Sequence, residues 1–153
     1  MTQERRMADI EETRPKDTYA PMESRRMVIP FADSTIAAGF PSPSDDGCNQ
    51  LDIAAHLVRR PESTYFMRVS GESMLGAGIF DGDLLVVDRS IAPKSGDIVV
   101  AIVNNDFTVK RFYQKGSKIE LLAENPRFKK IPIIEGTELE IWGVVTNSIR
   151  SHR

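Results

Sequence analysis

A mainly β domain behind a flexible N-terminal arm is the fold class this sequence predicts, on three observations. Composition changes sharply near residue 47, with prolines at 15, 21, 30, 41 and 43 ahead of that point. Beyond it, apolar runs of strand length, such as 84–87 and 98–103, alternate with turn residues, which is the punctuation of short strands. Helical periodicity is confined to one brief stretch, so roughly six strands with little helix are expected.

The arm comes first. Residues 1–47 carry Arg5-Arg6, Glu11-Glu12, Arg25-Arg26 and the prolines above, with few periodic apolar positions. Such a segment buries too little surface to offset the entropy of ordering it. Met27-Val28-Ile29-Pro30-Phe31 is its one apolar patch and a candidate docking element. From Cys48 the chain becomes dense. Asp52 is a fair N-cap for a helix over 53–58, which must stop before Pro61. Residues 65–69 read as a strand, and Ser73-Met74-Leu75 as the start of a single helical turn before Gly76 and Gly78.

Asp81-Gly82-Asp83 then makes a turn into a strand at 84–87. Residues 98–103, the pair Asn104-Asn105 and residues 107–113 read as a hairpin. Strands are also expected at 118–123 and 138–146, the latter carrying Trp142.

Charge and composition exclude several functions. In a chain of 153 residues with 41% hydrophobic and 27% charged residues, a net charge of −2 gives no footprint for gripping phosphates. Direct sequence-specific DNA binding is therefore not expected. The single cysteine, Cys48, cannot form an internal disulfide. The charged N-terminus is unlike a signal peptide, and no apolar run approaches the roughly 20 residues that span a bilayer. A cytoplasmic protein with no membrane contact is expected.

Two residues stand out chemically. Gly71-Glu72-Ser73 can present a hydroxyl beside backbone N–H groups, as an oxyanion site needs; read locally, Ser73 is simply an N-cap. In an extended strand Thr108, Lys110 and Phe112 share one face. If that face is buried, Lys110 loses hydration and becomes a possible general base; otherwise it is a solvated surface lysine. Arg111, on the opposite face, is expected to play only a surface role.

Rival designs are poorer. Only His56 and His152 are available for a Ser-His-Asp triad, one in the short helix and one beside the C-terminus. Cys48 as a nucleophile lacks partners in the same way. Asp45-Asp46-Gly47 and Asp81-Gly82-Asp83 hint at calcium but do not continue into a calcium-binding loop. No Cys/His cluster offers a zinc site and no glycine-rich phosphate loop occurs, so no metal and no cofactor are expected. Serine–lysine chemistry is what elimination leaves.

Several segments together resemble the UmuD branch of the LexA-like serine peptidases (S24). They are Ala38-Gly39-Phe40-Pro41-Ser42-Pro43, Ser70-Gly71-Glu72-Ser73-Met74 with Gly78-Ile79, and Asp81-Gly82-Asp83-Leu84-Leu85-Val86-Val87-Asp88. Gly96-Asp97-Ile98-Val99, Phe107-Thr108-Val109-Lys110-Arg111 and Trp142-Gly143-Val144-Val145 complete the set. Ser73 and Lys110 lie 37 positions apart, which fits that pattern.

The resemblance implies a LexA/signal-peptidase-like β domain at 39–153 and an arm at 1–38 removed by self-cleavage. It makes Ser73 the nucleophile, Lys110 the general base, and the Glu72 and Ser73 backbone N–H groups the oxyanion donors. The scissile bond is then Ala38-Gly39, where small residues let an extended backbone approach the serine. It further implies a homodimer that serves a UmuC-like Y-family translesion polymerase. Cleavage would be stimulated by the RecA–single-strand DNA filament in the SOS response to DNA damage.

Residues 1–26 match nothing in that pattern. A LexA-like repressor is the alternative, but the proline-interrupted segment ahead of Ala38 is unsuited to a helix-turn-helix domain. A signal peptidase would need a membrane anchor. A non-catalytic binding module that keeps the fold is the remaining option.

Overall fold

The structure, a computed structural model, describes residues 28–32, 36, 38, 39 and 48–153. It divides into two compact units, with the boundary between Arg59 and Arg60.

The smaller unit holds strands β1 (Val28–Ala32) and β2 (Cys48–Asp52) and the helix α1 (Ile53–Leu57). β1 and β2 pair antiparallel, Val28 facing Asp52 and Ala32 facing Cys48. The apolar patch inside the expected arm is thus a paired strand. Its partner β2 was not foreseen, because Asn49-Gln50 gives no strand signal. Asp52 caps α1 as expected, its carboxylate accepting the Ala55 N–H at 3.1 Å. Ala38 and Gly39 sit in an exposed bend. Phe40-Pro41-Ser42-Pro43, Asp45-Asp46-Gly47 and residues 1–26 lie outside the described residues.

The larger unit is a seven-stranded antiparallel sheet. Its strands are β3 (Thr64–Arg68), β4 (Leu84–Asp88), β5 (Ile98–Val103), β6 (Asp106–Lys115), β7 (Lys118–Leu122), β8 (Ile131–Ile133) and β9 (Leu139–Ile149). In space they run β3-β4-β9-β5-β6-β7-β8. The mainly β expectation is met.

The hairpin β5-β6 closes through Asn104 and Asn105 at φ 48° and 73°, with Val103 opposite Asp106. Asparagine tolerates this left-handed backbone, and the two-residue turn matches the twist of its strands. β8 was missed because Pro132 interrupts it; as the sheet's edge strand it can spare one N–H.

Two apolar clusters pack against the sheet. One joins Met67, Met74, Leu85, Val87, Val100 and Trp142. The other joins Val99, Ala101, Phe112, Leu121 and Val144. β5 serves both, its residues alternating between them as the two-residue period of a strand dictates. Trp142 anchors the first cluster, edge-on to Tyr65 at 5.2 Å and Phe107 at 6.1 Å, with the Arg89 guanidinium 4.7 Å from its ring. This sheet carries the loop between β3 and β4, and β6 lies three places from β4 in the strand order.

Candidate active site: a serine and a buried lysine

The loop between β3 and β4 is built to hold a serine. Gly71 turns the chain at φ 98°, a conformation that favours glycine. Its N–H donates to the Asp81 carboxylate at 2.7 Å. Past Ser73, a single 3₁₀ turn (Leu75–Ala77) follows, ended by Gly78 in the left-handed region. Met74, not Ser73, takes the cap position, and no side chain caps the turn. The Ser73 hydroxyl is used elsewhere.

It meets Lys110. The ammonium of Lys110 donates to Ser73 Oγ at 2.9 Å, to Thr108 Oγ1 at 2.8 Å and to the Val109 carbonyl at 3.0 Å. Its three N–H bonds are filled by two hydroxyls and a carbonyl, none of them charged. Lys110 is only 8% exposed. Burial pushes its pKa below the ordinary lysine value of 10.5, because the charged form loses water, and no carboxylate among the described residues pairs with it. The face shared by Thr108 and Lys110 was legible in the strand alternation, and Thr108 is a direct partner.

A neutral Lys110 has a lone pair where the protonated one has a donor, and Ser73 Oγ lies within hydrogen-bond reach of it. Among the described residues, the backbone N–H groups of Glu72 and Ser73 donate to no protein atom. A cleft of about 390 Å³ opens over these groups, walled by Met67, Val69, Met74, Phe107 and Phe128. The arrangement offers a hydroxyl, an amine that can lose its proton and free N–H donors beside an apolar trough.

The remaining residues singled out in the sequence lie outside this pair. His56 and His152 are exposed, and Cys48 opens β2 in the other unit. The calcium hint at Asp81-Gly82-Asp83 is a turn: Asp81 holds Gly71, and Asp83 takes both nitrogens of an arginine fork from Arg150, at 2.8 and 2.7 Å. Among the described residues no group of His, Cys, Asp and Glu is arranged to hold a metal. No helix there is long and apolar enough to cross a membrane.

The expectation that Arg111 has only a surface role is corrected. Its side chain is one-third exposed, pairs with Glu124 and donates to the Gly96 carbonyl at 2.6 Å. Glu124 in turn bonds the serine loop: its N–H donates to the Ser73 carbonyl at 2.8 Å, and its own carbonyl accepts the Gly76 N–H at 2.6 Å. A Cβ on residue 76 would lie 2.6 Å from that carbonyl oxygen, so only glycine fits. Glu124 and Asn125 carry no signal of this role in the sequence. Nothing local ties them to a loop some 50 positions earlier (Asn125 and Glu72 are 53 apart).

Known proteins resemble this chain over most of its length. Residues 30–146 match the family described as Peptidase S24-like. The chain is 47% identical to Protein MucA of Salmonella typhimurium over 131 residues, 84% of this chain and 89% of that one. It is 42% identical to Protein SamA of Salmonella typhimurium, over 86% of this chain and 91% of the relative. A LexA repressor from Polaromonas is 35% identical over 95% of this chain but 62% of its own length. The family resemblance read from the motifs holds, and the chain belongs to the S24-like peptidase family, alongside MucA and SamA.

Proposed function

We propose that this protein cuts its own chain between Ala38 and Gly39, with Ser73 as nucleophile and Lys110 as general base. The observation that carries the reading is the 2.9 Å bond between a serine hydroxyl and a buried lysine that has no counter-charge among the described residues. Neutral Lys110 takes the Ser73 proton as Oγ bonds to the Ala38 carbonyl carbon. The Glu72 and Ser73 N–H groups hold the oxygen that becomes negative. The C–N bond then breaks, and Lys110 passes its proton to the departing Gly39 amine. Water, deprotonated by the same lysine, releases Ala38 from the ester and restores Ser73.

The product, residues 39–153, acts as a homodimeric accessory subunit of a UmuC-like Y-family translesion polymerase in the cytoplasm. The RecA–single-strand DNA filament stimulates the cut by favouring the state in which the bond is seated at Ser73. The arm at 1–38 is removed once, as an activation step. Support for this wider role is the family membership and the identity to MucA and SamA. The acidic balance, with a pI near 5.7, is consistent with acting through proteins rather than by gripping DNA.

Incubation of the full chain in alkali, followed by mass spectrometry, tests the reading. A fragment beginning at Gly39 is expected from the wild type and none from Ser73→Ala. Added RecA filament should speed the same cut at neutral pH. The LexA relative favours a second reading as a repressor; specific retardation of an operator duplex by the intact chain would support that reading instead.

A further inference from the structure

Two N–H groups can stabilise an oxyanion only if their peptide planes are fixed before the reaction, and the Glu72-Ser73 plane is fixed from outside the serine loop. Asn125, beyond β7, donates its side-chain amide N–H to the Glu72 carbonyl at 2.8 Å. The Leu75 N–H reaches the same oxygen at only 3.4 Å, so Asn125 is the closer donor. Carbonyl and N–H point in opposite directions across a trans peptide. Holding Glu72 O therefore aims the Ser73 N–H away from Asn125 and sets its direction. The Asn125 amide is itself oriented: its Oδ1 accepts the Arg127 N–H at 3.1 Å, which leaves the NH₂ end for Glu72. The Glu124 N–H, donated to the Ser73 carbonyl at 2.8 Å, fixes the next plane in the same way.

We infer that Asn125 is a positioning residue for oxyanion stabilisation, aligning the Ser73 N–H through its bond to the Glu72 carbonyl. This rests on the self-cleavage reading above. Asn125 touches neither the scissile bond nor Lys110 in that scheme; it sets the angle of a donor that does. Donation to Glu72 O also polarises the peptide, making the Ser73 N–H a better donor.

Asn125→Asp is the informative variant. A carboxylate keeps the acceptor for the Arg127 N–H and hence the local turn, but it has no donor for Glu72 O. Asn125→Ser, uncharged and too short to span to Glu72, is the companion. Full-length wild type, both variants and Ser73→Ala are followed for the Gly39 fragment across alkaline pH, with melting temperature recorded for each.

Both variants should cleave about tenfold or more slowly on the alkaline plateau, where each has its lysine neutral. For the uncharged Ser variant the pH midpoint should stay at the wild-type position, since the base is untouched. Wild-type plateau rates in either variant would overturn the inference, as would a loss in the Ser variant that a shifted pH midpoint accounts for. Failure of the parent reading is separately visible, as no wild-type fragment or as a fragment from Ser73→Ala.

Discussion

Lys110, on β6, and Asp83, in the turn that leads into β4, are both buried charged residues, and the protein treats them in opposite ways. Asp83, 2% exposed, is matched by the Arg150 fork and by the Phe80 N–H at 2.9 Å, while Arg150 stacks 3.5 Å from the Phe80 ring. Lys110 receives only hydroxyls and a carbonyl. The pKa directions follow. The Arg150 hydrogen bonds hold the Asp83 carboxyl below its usual 3.8 despite burial, whereas burial alone moves Lys110 down toward neutrality. A buried charge that is fully paired fixes structure; one left unpaired is set up to lose its charge, which is what a general base requires.

The largest effect that tests this contrast is on cleavage. Lys110→Met keeps an unbranched side chain, one atom shorter, and removes the nitrogen, so it should lower the rate of Gly39 fragment formation by at least about a thousandfold, as should Ser73→Ala. The same Met substitution should make the fold more stable at neutral pH. Because the Lys110 pKa is lower folded than unfolded, the unfolded chain holds more protons between the two values, and wild-type stability rises with pH there. The melting-temperature gap between Lys110→Met and wild type should therefore narrow as pH climbs toward 10.5. A gap that stays constant over that window would mean Lys110 is solvated.

The mirror-image experiment strips the pair. Arg150→Met leaves the Asp83 carboxylate buried with its main partner gone, so the melting temperature at pH 7 should fall by several degrees. Its alkaline cleavage midpoint should not move, since Arg150 does not contact Lys110. A smaller, pH-dependent effect completes the contrast. Asp88 is pulled up by burial, but bonds from Ser90, Ser63 and Arg60 together leave its pKa lowered, like that of Asp83. Their stabilisation is complete above the unfolded value of 3.8 and is lost as pH falls through the lower folded values. Acid unfolding followed by circular dichroism should thus begin below about pH 3.8, and begin at higher pH in Arg150→Met.

Local sequence announced the parts of this protein whose cause is local. The β5-β6 hairpin was legible because Asn104-Asn105 suits a left-handed two-residue turn, and α1 because Asp52 can cap it. The face pairing of Thr108 with Lys110 came from strand alternation alone. The parts that depend on distant partners were not legible locally. That Ser73 meets Lys110 depends on a sheet order in which β9, last in the chain, lies between β4 and β5. Only the combined motif pattern pointed to it. The bonds of Glu124 and Asn125 to the serine loop, and of Arg111 to Glu124, are illegible for the same reason, since no sequence spacing ties these residues to that loop.

The most direct measurement is the rate at which the full-length chain forms the Gly39 fragment, recorded across pH with Ser73→Ala as the blank. The rate should rise about tenfold per pH unit and then level off, with a midpoint below the ordinary lysine value of 10.5. A rate that is flat with pH, or one that climbs past 10.5 without a plateau, would contradict Lys110 as the base.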